Sequence, residues 1–116
     1  YAATGDSNIL SFTQGAAATA TAGNQDFAIT GSSNNINATC EVVGCINNWS
    51  ITGSSNDIDT TQTGNADHSI TATITGSTND IDVDQTSSVG ETSDILVITA
   101  TTSNGTIDID QCSSGC

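Results

Sequence analysis

GSSNDIDTTQ occupies residues 53–62 and GSTNDIDVDQ residues 76–85, and the two phrases share glycine, serine, asparagine, the Asp-Ile-Asp centre and the closing glutamine. Self-similarity at a fixed period of about 20 to 50 residues marks a stack of repeat units rather than a globule around one core. Three further versions lie along the chain: GDSNILSFTQ from Gly5, GSSNNINATC from Gly31 and a looser TSNGTIDIDQ from Thr102. Their last positions, Gln14, Cys40, Gln62, Gln85 and Gln111, are 26, 22, 23 and 26 residues apart. The repeat is therefore about 23 residues long, and its slack falls after the glutamine.

Within the phrase the period is two. Asn79, Ile81, Val83 and Gln85 alternate with Asp80, Asp82 and Asp84, as side chains on opposite faces of a strand must. The same split sets Asn56, Ile58, Thr60 and Gln62 against Asp57, Asp59 and Thr61, and puts Asn8, Leu10, Phe12 and Gln14 on the inner face of the first repeat. A second strand closes each repeat: QDFAIT at 25–30, NWSIT at 48–52, HSITATIT at 68–75 and DILVITAT at 94–101. β-branched residues and alternation favour strand over helix, and Gly, Ser, Asn and Thr write the turns between, TGNAD at 63–67 among them. Residues 1–4 read as a leader without a partner.

The expected fold is all-β: one repeat domain over residues 1–116, made of five stacked strand-turn-strand rungs at about 5–30, 31–52, 53–75, 76–101 and 102–116. It is a two-sheet β-solenoid or β-arch stack of cross-β character. Five rungs at ~4.8 Å make a column roughly 24 Å tall. The expected core is Leu10, Phe12, Ile29, Ile36, Ile51, Ile58, Ile70, Ile74, Ile81, Val83, Ile98, Ile107 and Ile109.

In such a stack equivalent residues stand above one another. Side-chain amides carry both donors and an acceptor, so they can bond from rung to rung. The expected amide ladder is Asn8, Gln14, Asn34, Asn56, Gln62, Asn79, Gln85 and Gln111. The outward Asp57, Asp59, Asp80, Asp82, Asp108 and Asp110 form a column of like charge, where each pair ~4.8 Å apart repels by roughly 1 kcal/mol in water. Calcium or another hard cation would relieve that repulsion, and so would ordinary salt. No other cofactor is implied.

There is no lysine or arginine against thirteen acids, a net charge of −13. Nucleic acid and anionic lipid are held chiefly through basic side chains and are excluded as partners. No apolar run approaches the roughly 18 residues of a membrane span. The absence of methionine and the first residue, Tyr1, point to a mature chain whose signal peptide has been removed. Four cysteines suit an oxidising, extracellular setting.

Cys40 replaces a glutamine and Cys45 follows five residues later; Cys112 and Cys116 flank a similar short arc. Local bridges 40–45 and 112–116 and bridges between subunits both remain open. One column cannot join rung two to rung five, since three rungs span roughly 14 Å and a disulfide needs Cα atoms within about 7 Å. Zinc is disfavoured by the spacings and by a single imidazole, His68. Asn37, Asn48 and Asn104 lie in sequons, a tripeptide frequent by chance in so Asn- and Thr-rich a chain. Trp49 and His68 read as packing residues. No phosphate loop, nucleophile elbow or HExxH motif is present, so an enzyme is not expected.

Asn and Gln at fixed spacing, with short Gly and Asn turns, resemble the curlin repeats of bacterial curli fibres. The cysteines and the lack of basic residues resemble instead the amyloid-like sheath proteins of methanogenic archaea. Either resemblance implies a secreted subunit that self-assembles by edge-to-edge strand stacking into an extracellular fibre or cell sheath. The partner would be the chain itself, with surface glycans a further candidate. Two other readings share the pattern. An ice-binding or other soluble β-solenoid module would use Ser69, Thr71, Thr73, Thr75, Thr99 and Thr101. A repeat segment of an adhesin or tail fibre would need flanking domains.

Overall fold

The computed structural model describes residues 1–15, 23–41, 44–64, 68–87 and 95–112. They form ten strands: β1 Ala2–Thr4, β2 Ser7–Gln14, β3 Gly23–Thr30, β4 Ser33–Cys40, β5 Cys45–Thr52, β6 Ser55–Gly64, β7 Ser69–Thr75, β8 Thr78–Ser87, β9 Ile95–Thr101 and β10 Asn104–Cys112. Odd strands make one five-stranded sheet and even strands the other, each ordered along the chain. Every described pairing is parallel. The architecture is a two-sheet β-solenoid, and the five expected phrases are its even strands.

Parallel pairing follows from the repeat. Each strand hands the chain to the opposite sheet, so the next strand of its own sheet arrives running the same way. The arcs from odd to even strands are always two residues long: 5–6, 31–32, 53–54, 76–77 and 102–103. The arcs from even to odd strands vary, which is where the slack in the repeat was read. The molecule measures 41 × 25 × 15 Å. The middle dimension matches five strands at ~4.8 Å.

Alternation sorts the side chains. β4 and β6 place Asn, Ile, Ala or Thr, and Cys or Gln inward, and the residues between them outward. Ile29, Ile36, Ile51, Ile58, Ile70, Ile74, Ile81 and Val83 are almost fully buried, worth roughly 1.5–3 kcal/mol each in apolar area removed from water. Trp49 is buried in the same cluster. At the first-strand end the aromatics meet in sequence: Tyr1 and Phe12 rings lie 4.9 Å apart, Phe12 and Phe27 5.9 Å, and Phe27 and Trp49 6.1 Å.

Four expectations are corrected. Ile107 and Ile109 are not core: they are 45% and 43% exposed, because β10 is the outermost described strand of its sheet and is covered from one side only. Leu10, Phe12 and Ile98 are partly buried for the same reason. Residues 1–4 are not a leader, since Ala2–Thr4 pair with Ala28–Thr30. The second strands also begin earlier than read, at Gly23 and Cys45, where polar residues hide the alternation. Residues 65–67 of the TGNAD turn, Asp94 and Cys116 lie outside the described residues.

Candidate functional site

The two-residue arcs carry the densest polar network. Asn8 donates from Nδ2 to Asn34 Oδ1 at 2.9 Å, Asn34 to Asn56 at 2.8 Å and Asn56 to Asn79 at 2.8 Å. The same amides also reach backbone carbonyls of the arc: Asn34 Nδ2 donates to Gly31 O and Thr52 O, both at 3.4 Å. Asn34, Asn56 and Asn79 are nearly fully buried, so each amide answers the polar groups that its own burial would strand.

Two backbone ladders run beside it. The N–H groups of Gly5, Gly31, Gly53 and Gly76 donate to Thr30, Thr52, Thr75 and Thr101, and those of Ser33, Ser55, Thr78 and Asn104 donate to Asp6, Ser32, Ser54 and Ser77. A hydroxyl ladder joins them: Ser32 Oγ donates to Asp6 O at 2.9 Å, Ser54 to Ser32 O at 2.7 Å, Ser77 to Ser54 O at 2.8 Å and Ser103 to Ser77 O at 3.1 Å. This ladder was missed in the sequence, although serine recurs as the second letter of four phrases.

Glycine opens the phrase because nothing larger fits. A Cβ on Gly31, Gly53 or Gly76 would stand 1.8, 1.9 or 2.0 Å from the carbonyl oxygen of the glycine one rung before, with an asparagine amide also inside contact distance. The last rung exchanges the two roles. Thr102 stands at the glycine position and Gly105 pairs with Asn79 at the asparagine position. A Cβ on Gly105 would lie 2.6 Å from Asn79 O and 2.9 Å from Thr102 Oγ1. The threonine side chain thus takes the room that the asparagine gives up, and its hydroxyl donates to Ser77 O at 3.2 Å. The amide ladder ends at Asn79, whose Nδ2 turns to Thr101 O at 3.5 Å.

At the other end of the even strands, Gln14, Cys40, Gln62, Gln85 and Gln111 are in register. The glutamine column is interrupted at Cys40, as the sequence implies, because Cys40 has no amide. Gln85 Nε2 donates to Gln62 Oε1 at 2.7 Å, while Gln62 donates to Cys45 O at 3.3 Å. Cys40 and Cys45 form a local disulfide with Cα atoms 6.3 Å apart. Gly44, at φ 68°, supplies the left-handed turn that lets so short an arc close. His68 is fully buried, and its Nδ1 accepts from the Cys45 N–H at 3.3 Å; with Gln62 it holds both backbone groups of Cys45. Cys112 is also disulfide-bonded.

The outer face of the even sheet carries seven described acids. Asp57 pairs with Asp80, Asp59 with Asp82 and then Asp108, and Asp84 with Asp110. The last rung differs from expectation by one step: Thr106, not Asp108, stands over Asp80. On the second rung, amides replace acids. Asn35 Nδ2 donates to Asp57 Oδ2 at 2.7 Å and Asn37 Nδ2 to Asp59 Oδ2 at 3.2 Å. Asp82, in the middle, has its carboxyl held above the ordinary carboxylate range by lost hydration and by the charges of Asp59, Asp108, Asp110 and Asp84. Among the described residues no three His, Cys, Asp or Glu side chains converge to hold a metal ion; the acids form rows, not a cage. Of the sequon asparagines, Asn37 is engaged as above and Asn48 donates to Asp26 Oδ1 at 2.8 Å. Asn104 is exposed at the start of β10.

No protein-family model, no curated protein and no solved structure matches this chain. Among the described residues no helix is long and apolar enough to cross a membrane.

Proposed function

We propose that the chain is a secreted structural protein that self-assembles by continuing its two parallel sheets from copy to copy, and that the product is a protective extracellular fibre or cell sheath. The observation that carries this reading is β10. On the inner rungs its inward positions are Ile36, Ile58 and Ile81, then Ala38, Thr60 and Val83, all at most 1% exposed. On β10 the same positions, Ile107 and Ile109, are nearly half exposed. A second copy laid on in the same register brings Ser7–Gln14 against Asn104–Gln111. Leu10 then covers Ile107, Phe12 covers Ile109 and Gln14 meets Gln111.

Charge supports the same junction. The acid rows end at Asp108 and Asp110, and the residues they would meet are Ser11 and Thr13, which can donate to carboxylates and carry no charge. The three described cysteines, none of them a free thiol, and a chain without basic residues suit the extracellular setting. The test is Ile109→Asp, followed by light scattering and electron microscopy. The variant should keep its far-UV circular dichroism and lose polymerisation. A wild-type chain that stays monomeric across concentration and pH, or a variant that polymerises equally well, would overturn the reading.

A second reading, ice binding, draws on one observation. Thr4, Thr30, Thr52, Thr75 and Thr101 form an unbroken outward column. Its neighbour, Ala2, Ala28, Ser50, Thr73 and Thr99, keeps the hydroxyl on three rungs only. Thermal hysteresis by the monomer is the deciding measurement.

A further inference from the structure

The two outer faces of the solenoid are chemically unlike. Seven of the ten described acids point outward from the even sheet, while the outer face of the odd sheet bears one, Asp26. That carboxylate is already engaged by Asn48 Nδ2 at 2.8 Å and Asn24 Nδ2 at 3.4 Å. The rest of the described face is threonine, serine, alanine and asparagine, with Ile46, Ile95 and Val97 exposed at 43%, 56% and 50%. β-branched apolar side chains standing free on a flat neutral sheet are what a partner sheet covers.

We infer that this neutral face is a lateral contact between two copies of the chain, packed face to face with the acid faces turned outward. Three arguments select that occupant. Acid face against acid face would bury seven carboxylates per copy with no cation to pair them, whereas neutral against neutral buries none beyond the hydrogen-bonded Asp26. The face is a ladder of like residues at the ~4.8 Å strand spacing, and a second copy presents the same spacing, so contacts made on one rung recur on all. The third is extent. Each outward residue covers about 32 Å² at ~3.3 Å rise and ~4.8 Å spacing, so its eighteen outward positions amount to about 570 Å² per copy, short of the ~800 Å² per partner of a stable complex. Single copies therefore pair weakly, and stacked copies, whose footprints add, pair firmly. The inference rests in that respect on the axial stacking proposed above.

Two measurements test it, one with the polymer and one without. Filaments should be two molecules wide, with mass per length twice that of one stack by scanning transmission electron microscopy. Thr73→Asp, an outward position in mid-face on β7, should halve that mass while elongation proceeds unchanged, and Thr73→Ser should leave it at two. Independently, sedimentation equilibrium of the Ile109→Asp chain at high protein concentration, as suits an interface in the weak class below ~1,200 Å² in total, should show dimers that Thr73→Asp removes. Single-width wild-type filaments, a Thr73→Asp filament still paired, or a chain monomeric at that concentration would overturn the inference. So would thermal hysteresis from the free face. A wild-type chain that forms the dimer but no axial filament would instead count against the stacking and leave the lateral contact standing.

Discussion

Asn56→Ala is the sharpest probe of the amide ladder. In the wild-type chain Asn56 accepts from Asn34 and donates to Asn79, both at 2.8 Å and both buried. Alanine removes two hydrogen bonds, at about 1 kcal/mol net each. It also leaves Asn79 Oδ1 buried without its donor, a further ~1–3 kcal/mol. Asn34 Nδ2 loses less, because Gly31 O and Thr52 O are already within 3.4 Å. The total is about 3–5 kcal/mol, and Asn8→Ala should cost less, because the bonds that Asn8 Nδ2 makes to Asn34 Oδ1, Gly5 O and Thr30 O are part-buried or exposed, at the end of the row where water can replace them. Urea unfolding followed by circular dichroism reads both. Asn56→Asp adds a second arm: its carboxylate cannot donate to Asn79 Oδ1, so the loss should exceed that of alanine at neutral pH and shrink as acid restores a proton to donate. If Asn56→Ala costs no more than Asn8→Ala, the ladder is not what holds the arcs together.

Gly53→Ala should be more damaging than its one methyl suggests, because the Cβ would meet Gly31 O at 1.9 Å, whereas Gly15→Ala, with nothing within 4 Å, should leave the melting temperature within a degree or two. Asp82→Asn should raise the melting temperature at neutral pH. A carboxyl whose folded pKa lies above its unfolded value binds its proton more tightly when folded, so it costs stability as pH rises through that window and the cost disappears on acidification. The gain should accordingly vanish near pH 3, where carboxylates are protonated in both states; a gain that persists there would refute the charge argument. Losing the Cys40–Cys45 bridge should cost about 2 kcal/mol from the short loop it closes, read without reductant as a drop in melting temperature when Cys40→Ser is combined with Cys45→Ser.

The doubled phrase at Gly53 and Gly76 made the even strands and their register legible, because a period of two inside a period of 23 leaves one arrangement that stacks Asn on Asn and Ile on Ile. The exposure of Ile107 and Ile109 was not legible, since the same letters that are core between two rungs are surface on the last one. Ala2–Thr4 escaped notice for want of length: three residues show no alternation, and only their register on Ala28–Thr30 identifies them as a strand. The serine ladder was hidden because its partners are backbone carbonyls, which every residue carries. In the fifth phrase the shift of glycine from first to fourth place looked like decay. It is a paired exchange, and its signal was that Thr102 and Gly105 changed together.

The amide ladder also has a direction. Asn8, Asn34 and Asn56 each donate toward the higher-numbered rung, and Asn34, Asn56 and Asn79 accept from the lower, so the side-chain dipoles point the same way along the stack and add. Hydrogen bonds in such chains polarise one another. The solenoid is therefore electrically vectorial as well as geometrically repetitive, and its two ends are unequal: Asn8 begins the row as a donor to Asn34 and Asn79 closes it as the acceptor from Asn56. Gly105 contributes no amide, so the hydrogen-bonded row would restart with every molecule of a stack, each copy laid on in the same direction adding its own four side-chain dipoles to the sum. An end that grows by adding the Asn8 side should have its own rate, distinct from that of the end that adds the Gly105 side.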